Sequence, residues 1–227
     1  MAPVTVKGKK PFAWSYSKLK NFETCPKRHW HVDVQKDVKE EDSEQLQYGN
    51  FIHKVFADRI GKGVPAPEMH RSLVEPWSMR VLATPGDVEV EQKLAITQDF
   101  APCTYFDRAA WYRGVGDVVK VSGPVALVID WKTGKIVEDS VQLALMAACV
   151  FAHKPTVQRV RSEFVWLKED ATTSEIFSRQ SLVQVWSSLW PRIEALKQAY
   201  EKDEYPARPG RLCRKWCPVA KCPHHGE

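Results

Sequence analysis

"ALVIDWKTGK", residues 126–135, sets an apolar run against an acid, a tryptophan, a lysine and then a Thr-Gly turn. With Pro124 and Val125 ahead of it, the run has no polar face. Such a segment reads as a strand buried on both sides, inside a sheet that helices cover above and below. Side chains alternate along a strand, so Asp130 and Lys132 share one face and Trp131 takes the other.

The segments on either side complete that sheet. "VEVEQKLAI" (88–96) alternates at Val88 and Val90, slips, and resumes at Leu94 and Ile96; "WYRGVGDVVKV" (111–121) is rich in β-branched and aromatic residues. A hairpin through "KVSGPV" would pair the second segment with 124–131 and bring Asp117 and Asp130 onto neighbouring strands. "SVQLALMAACVFAHK" (140–154) reads as a helix apolar nearly all round, hence buried, and "VQRVRSEFVWL" (157–167) as a fourth strand.

Helices bracket this core. Ser15 is a candidate N-cap for "SYSKLKNFETCPKRHWHV", with Leu19, Phe22 and Trp30 on one face. "EQLQYGNFIHKVFADRIGKG" repeats the pattern with Leu46, Phe51, Val55 and Phe56 and stops at Gly61 and Gly63. Residues 64–76, rich in proline, read as loop, and "LVQVWSSLWPRIEALKQAYEKD" as a long amphipathic helix interrupted at Pro191, with Trp186 and Trp190 in its core face. The expected fold is α/β: a mixed central sheet flanked by helices, an αβββαβ core, with N-terminal helices and a Cys-rich tail. No Gly-rich phosphate loop or dinucleotide-binding alternation is present.

At 227 residues and 44% hydrophobic content, one domain is expected, with a helical part (1–80), a sheet core (81–170) and a closing helix with cysteines (171–227). Lys+Arg 33 against Asp+Glu 28 gives +5, which permits a polyanionic partner without demanding one. No stretch approaches a membrane span and the N-terminus lacks an apolar leader, so a cytoplasmic protein is expected. In that compartment six cysteines read as metal ligands or small buried residues before disulfides.

Two carboxylates on neighbouring strands repel unless a cation lies between them, and Mg²⁺ is the simplest candidate. Lys132 beside them could stabilise developing negative charge or orient a water. Taken alone, an acid and a lysine two apart at a strand end are common on solvated surfaces. In company they are distinctive: "YGNFIHKVF" with Gly49 and His53, "GVGD" with Asp117, "IDWK" with Asp130 and Lys132, and Gln142 in "QLALMAA" follow in order. This set resembles the PD-(D/E)XK nuclease superfamily, and more narrowly its RecB-like branch, which includes CRISPR adaptation nucleases and recombination exonuclease domains. "SYSKLKNFETCPKRHW" resembles that branch's N-terminal element, so the likeness runs from about Ser15 to Cys222.

The resemblance implies a single nuclease domain with a restriction-endonuclease-like fold, hydrolysing phosphodiester bonds in DNA, as an exonuclease in recombination, repair or DNA processing. His53, Asp117 and Asp130 would hold Mg²⁺ or Mn²⁺, with the Trp131 carbonyl as a further ligand. Lys132 would act at the scissile phosphate, and Gln142 would orient the site. The branch's Gln-x-x-x-Tyr element departs here, because Met146 stands at the tyrosine position. Glu91 could add a carboxylate but reads first as a surface residue.

Many members bind a [4Fe-4S] cluster through one N-terminal and three C-terminal cysteines, and Cys25, Cys213, Cys217 and Cys222 match that count. Their Cys-x3-Cys-x4-Cys spacing differs from the usual Cys-x2-Cys-x5-Cys, and His224 and His225 keep zinc open as an alternative. Cys103 and Cys149 read as bystanders. "KGKKPFAWSYSKLK" and "CPKRHWH" interleave basic and aromatic residues, which suits single strands or duplex ends. Any ATP-driven unwinding would need a helicase or recombination partner. Two other classes stay open: a catalytically inactive DNA-binding subunit, and a zinc or Fe-S interaction module.

Overall fold

The computed structural model describes residues 10–40, 43–137 and 139–227; Lys7 and Lys9 of the basic N-terminal segment lie outside them. The helices are α1 (Tyr16–Thr24), α2 (Pro26–His29), α3 (Glu44–Lys62), α4 (Arg71–Ala83), α5 (Val141–His153) and α6 (Leu182–Lys202). The strands are β1 (Asp87–Ile96), β2 (Pro102–Cys103), β3 (Tyr112–Ser122), β4 (Val125–Lys132), β5 (Arg159–Trp166) and β6 (Ala171–Ser178). They form one sheet in the order β2-β1-β3-β4-β5-β6. β4 and β5 run parallel, joined by the α5 crossover, and every other neighbouring pair is antiparallel. The expected mixed sheet flanked by helices is therefore present, with 126–131 at its centre.

Two compact units divide the chain: Ser43–Val185, which holds the sheet, and a second made of the segments before Ser43 and from Trp186 onward. In the sheet unit, α3 and α5 both pack on the strands, and α4 packs on α3. Ile52, Val55 and Phe56 of α3 and Val74 and Val81 of α4 share a buried cluster with Val118, Ile129, Trp131 and Val165. Trp131 stacks on Phe56, rings 4.0 Å apart and 13° from parallel. The tryptophan is thus spent on packing, as alternation predicts, and fixes the strand end beside it.

A buried carboxylate ties α4 to the same face. Glu163 is fully buried on β5, 2.7 Å from Arg80 of α4, with Arg161 at its other oxygen. Lys120 of β3 donates to the Val81 carbonyl at 2.9 Å.

Several elements differ from the reading of the sequence. Ser15 caps α1 as expected, accepting from Lys18 N–H, but the helix breaks at an extended Cys25, because Pro26 disfavours helical backbone before it. A π-helical turn, Trp30–Gln35, follows α2. On α3 the buried face is Ile52, Val55, Phe56 and Ile60, whereas Leu46 and Phe51 are exposed. Residues 64–76 are not all loop: α4 starts at Arg71 and tolerates Pro76, with Val74, Ser78 and Val81 on its buried side. β6 went unread because its residues are mostly exposed and polar. Pro191 does not interrupt α6, and Trp190 on it is exposed rather than core. No helix among the described residues is long and apolar enough to cross a membrane.

Candidate functional site

The β3–β4 ladder ends at the pair Val118 and Ile129. Beyond it a side chain replaces the missing backbone partner: Asp117 Oδ2 accepts from the Trp131 N–H at 2.8 Å. The strands end their pairing where the two acids of the sequence motif stand, as the expected hairpin requires.

His53 arrives from α3. Its Nδ1 lies 3.1 Å from Asp117 Oδ1, and its imidazole also engages the Trp131 backbone. Gly49, one turn earlier, lets α3 approach: a Cβ there would sit 3.2 Å from the Thr133 hydroxyl just after β4. The Gly-x-x-x-His spacing thus has a steric cause, with glycine bringing the helix close and histidine using the approach.

Lys132 and Asp130 form the other half. Lys132 Nζ is 2.8 Å from Asp130 Oδ1 and donates to Gln142 Oε1 at 3.1 Å, while Gln142 Nε2 donates to Asp130 Oδ2. The ammonium also lies 4.6 Å from the Phe164 ring centre. Gln142, in the first turn of α5, therefore holds both partners at once. Met146, one turn on and buried, fills the space over Gly114 and Gly116; a Cβ at those glycines would come within about 3 Å of its side chain.

Glu91, read first as a surface residue, is the carboxylate that the structure brings nearest to His53 and Asp117. It sits on β1 between the pairs Val90 with Val118 and Gln92 with Gly116, and drops out of the ladder at φ +51°. A glutamate in left-handed backbone is costly and is held only by its surroundings. The consequence is a carboxylate aimed at the gap: ligand atoms of His53, Glu91 and Asp117 all lie within 4.8 Å of one another. The nearest signal in the sequence is the polar Gln92 beside it, which interrupts the apolar alternation between Val90 and Leu94.

The electrostatics match a site built for a cation. Burial pushes the Asp130 carboxyl up to about 6; Lys132 opposes that shift and Asp117 adds to it. Burial, then the Asp117 charge, raises Glu91. Burial pulls the His53 imidazole down, but its hydrogen bond to Asp117 and the two aspartate charges outweigh it, and the net direction is up. One imidazole nitrogen with carboxylate oxygens and a nearby carbonyl is a donor set suited to Mg²⁺ or Mn²⁺. Asp130, expected among the ligands, has both oxygens engaged by Lys132 and Gln142 beside this group.

In the other unit, Cys25, Cys213, Cys217 and Cys222 line one cavity of about 200 Å³, with His224 also on its wall. Backbone N–H groups of Arg208 and Gly210 point at Cys25 Sγ and Cys213 Sγ, each at 3.4 Å. His225 is not on that wall. Cys149 is fully buried in α5 and Cys103 half-buried on β2, both thiols raised by burial.

Comparison with known proteins bears on the fold and the family. No curated protein matches the sequence. Among solved structures, a candidate exonuclease from Eubacterium rectale superposes with a TM-score of 0.58 at 12% identity, covering 92% of this chain and 88% of that one. A second structure, SSO0001, gives a TM-score of 0.41 at 11% identity, with 97% and 90% covered. The family model for the PD-(D/E)XK nuclease superfamily matches residues 13–222, a span that takes in His53, Asp117, Asp130, Lys132 and all four clustered cysteines. With that match laid over a restriction-endonuclease-like sheet, the chain belongs to the PD-(D/E)XK nuclease superfamily.

Proposed function

We propose that the chain is a divalent-metal-dependent deoxyribonuclease that hydrolyses phosphodiester bonds from DNA ends, in DNA processing, recombination or repair. The observation that carries this reading is the convergence of His53, Glu91 and Asp117 within 4.8 Å beside the Lys132–Asp130–Gln142 network. The name of the Eubacterium rectale structure is in keeping with an exonuclease.

His53, Glu91 and Asp117 would hold the metal, with the Trp131 carbonyl and Asp130 adjoining. Mg²⁺ or Mn²⁺ would supply Lewis acidity and an activated water at the phosphate. The chain's own residues do the rest. Lys132 sets a positive charge where the phosphorane-like transition state accumulates negative charge. Gln142 and Asp130 hold that ammonium in one position, so little reorganisation is needed during reaction. Trp131, stacked on Phe56, keeps the β4 end rigid beneath them.

Titration of metal-free protein with Mn²⁺ by calorimetry tests the ligand set. Glu91→Gln removes one carboxylate and is expected to weaken binding by roughly tenfold or more, the scale of an altered metal shell. Unchanged affinity would remove Glu91 from the set.

The four cysteines are proposed as ligands of a [4Fe-4S] cluster, supported by their shared cavity and by N–H groups directed at two of the sulfurs. Protein purified anaerobically should contain about four irons per chain. Stoichiometric zinc without iron would replace the cluster by a tetrahedral zinc site.

A further inference from the structure

Between Tyr205 and Gly226 the chain carries five basic residues, Arg208, Arg211, Arg214, Lys215 and Lys221, and no acid. That segment alone equals the net charge of +5 of the whole chain. Two of the five are engaged: Arg208 donates to the Glu23 carbonyl, and Lys221 pairs with Asp37 at 2.6 Å. Arg211, Arg214 and Lys215 are exposed, and among the described residues none has a carboxylate partner.

Beside those three cations stands Trp216, 75% exposed. An indole left that open forfeits most of what burial would return, roughly 25 cal/mol per Å² of apolar surface. Its backbone, by contrast, is fixed. Trp216 N–H donates to the Leu212 carbonyl at 3.0 Å, Cys217 N–H to the same oxygen at 2.9 Å, and Gly226 N–H to the Cys213 carbonyl at 2.8 Å. The Cys-x3-Cys spacing therefore presents Arg214, Lys215 and Trp216 as a short, tied loop between two cysteines.

We infer that this loop is a binding site for single-stranded nucleic acid, one unpaired base stacking on Trp216 while Arg211, Arg214 and Lys215 contact flanking phosphates. An aromatic face beside unpaired cations suits an unstacked base on a polyanionic backbone. A duplex keeps its bases stacked and gives the indole nothing to cover. A protein partner here would have to bring carboxylates to three cations around one indole, whereas a single strand supplies a phosphate beside every unstacked base. The inference rests on the nuclease reading, and it adds a contact that the metal site does not contain.

Fluorescence anisotropy of a labelled 12-residue oligothymidylate, without added divalent ions, tests it on the full chain. Trp216→Ala should raise Kd about tenfold with the salt dependence unchanged, and Trp216→Phe should retain most of the affinity. Arg214→Ala/Lys215→Ala should reduce the slope of log K against log salt by about 1.4. Phe106→Ala, which removes an aromatic 81% exposed elsewhere, serves as the control and should leave Kd within about twofold. Metal content and melting temperature equal to wild type show that each variant is folded. If Trp216→Ala binds the oligomer as wild type does, or loses blunt duplex to the same degree, the inference is overturned. If wild type neither binds nor cleaves any DNA, the nuclease reading fails and this inference with it.

Discussion

Replacing Lys132 with methionine is expected to lower the rate of DNA cleavage by about 10³-fold, while DNA affinity changes by less than about threefold. The ammonium is half of a fixed pair, 2.8 Å from Asp130 and 3.1 Å from Gln142, and 26% exposed toward the gap that also receives His53 and Asp117. A charge held in that way acts on the transition state more than on the bound ground state, so kcat should carry the loss. Lys132→Arg keeps the charge, but its planar fork cannot occupy the ammonium's position between Asp130 and Gln142, and rescue should be partial at best. Single-turnover cleavage and equilibrium binding, measured on the same preparations, separate the two effects. A fall in affinity with kcat intact would make Lys132 a binding residue only.

Asp130→Asn is expected to do two opposite things: abolish cleavage and stabilise the metal-free protein. The carboxyl's folded pKa stands at about 6, above its ordinary value of 3.8, because burial and Asp117 disfavour the charge more than Lys132 supports it. The native state therefore holds this proton more tightly than the unfolded chain does. Its contribution to stability is intact below about pH 4, is lost as pH rises to about 6, and is a full penalty above that. Asparagine keeps an oxygen for Lys132 and the shape of the side chain without the charge. At pH 7.5 in chelator the variant should gain on the order of 3 kcal/mol. For a chain of this size that is a rise in Tm of roughly 6–12 °C. At pH 3 the two proteins should melt within about 1 °C of each other, since the aspartate is then largely protonated in both states. Equal melting temperatures at pH 7.5 would show that Lys132 already compensates the charge.

The parts of this site that sequence made legible are those set by local rules. Alternation along 126–132 separated Asp130 and Lys132 from Trp131, and the Gly123 turn placed Asp117 beside Asp130. Gly49 and His53 were readable as a spacing, and their geometry supplies its reason: the glycine lets α3 close on Thr133. What escaped reading depends on strain or on distant partners. Glu91, weighed as a carboxylate but read first as a surface residue, approaches His53 and Asp117 in left-handed backbone that no local pattern announces. α4 was hidden by Pro76, although Val74, Ser78 and Val81 keep helical spacing through it. The pairing of Arg80 with Glu163 joins residues 83 apart, and no local pattern announces it. β6 carries almost no apolar signal, because as an edge strand it buries little beyond Phe177.

The cysteine cavity shows the same division. Cys213, Cys217 and Cys222 were conspicuous by clustering, and Cys25 only through the family likeness. Their meeting in one cavity depends on how α1 ends, at an extended Cys25 held by Pro26. The shifted middle cysteine, a departure when read as sequence, has a structural outcome in the tied Arg214–Trp216 loop.

The most direct test is hydrolysis of end-labelled linear DNA and of covalently closed circular DNA, single- and double-stranded, by anaerobically purified protein with Mn²⁺. The account predicts metal-dependent release of nucleotides from the linear substrates, sparing of the circles, and loss of activity in chelator and in Lys132→Met. Absence of hydrolysis with both Mn²⁺ and Mg²⁺, or hydrolysis that survives chelator and the Lys132→Met change, would contradict it.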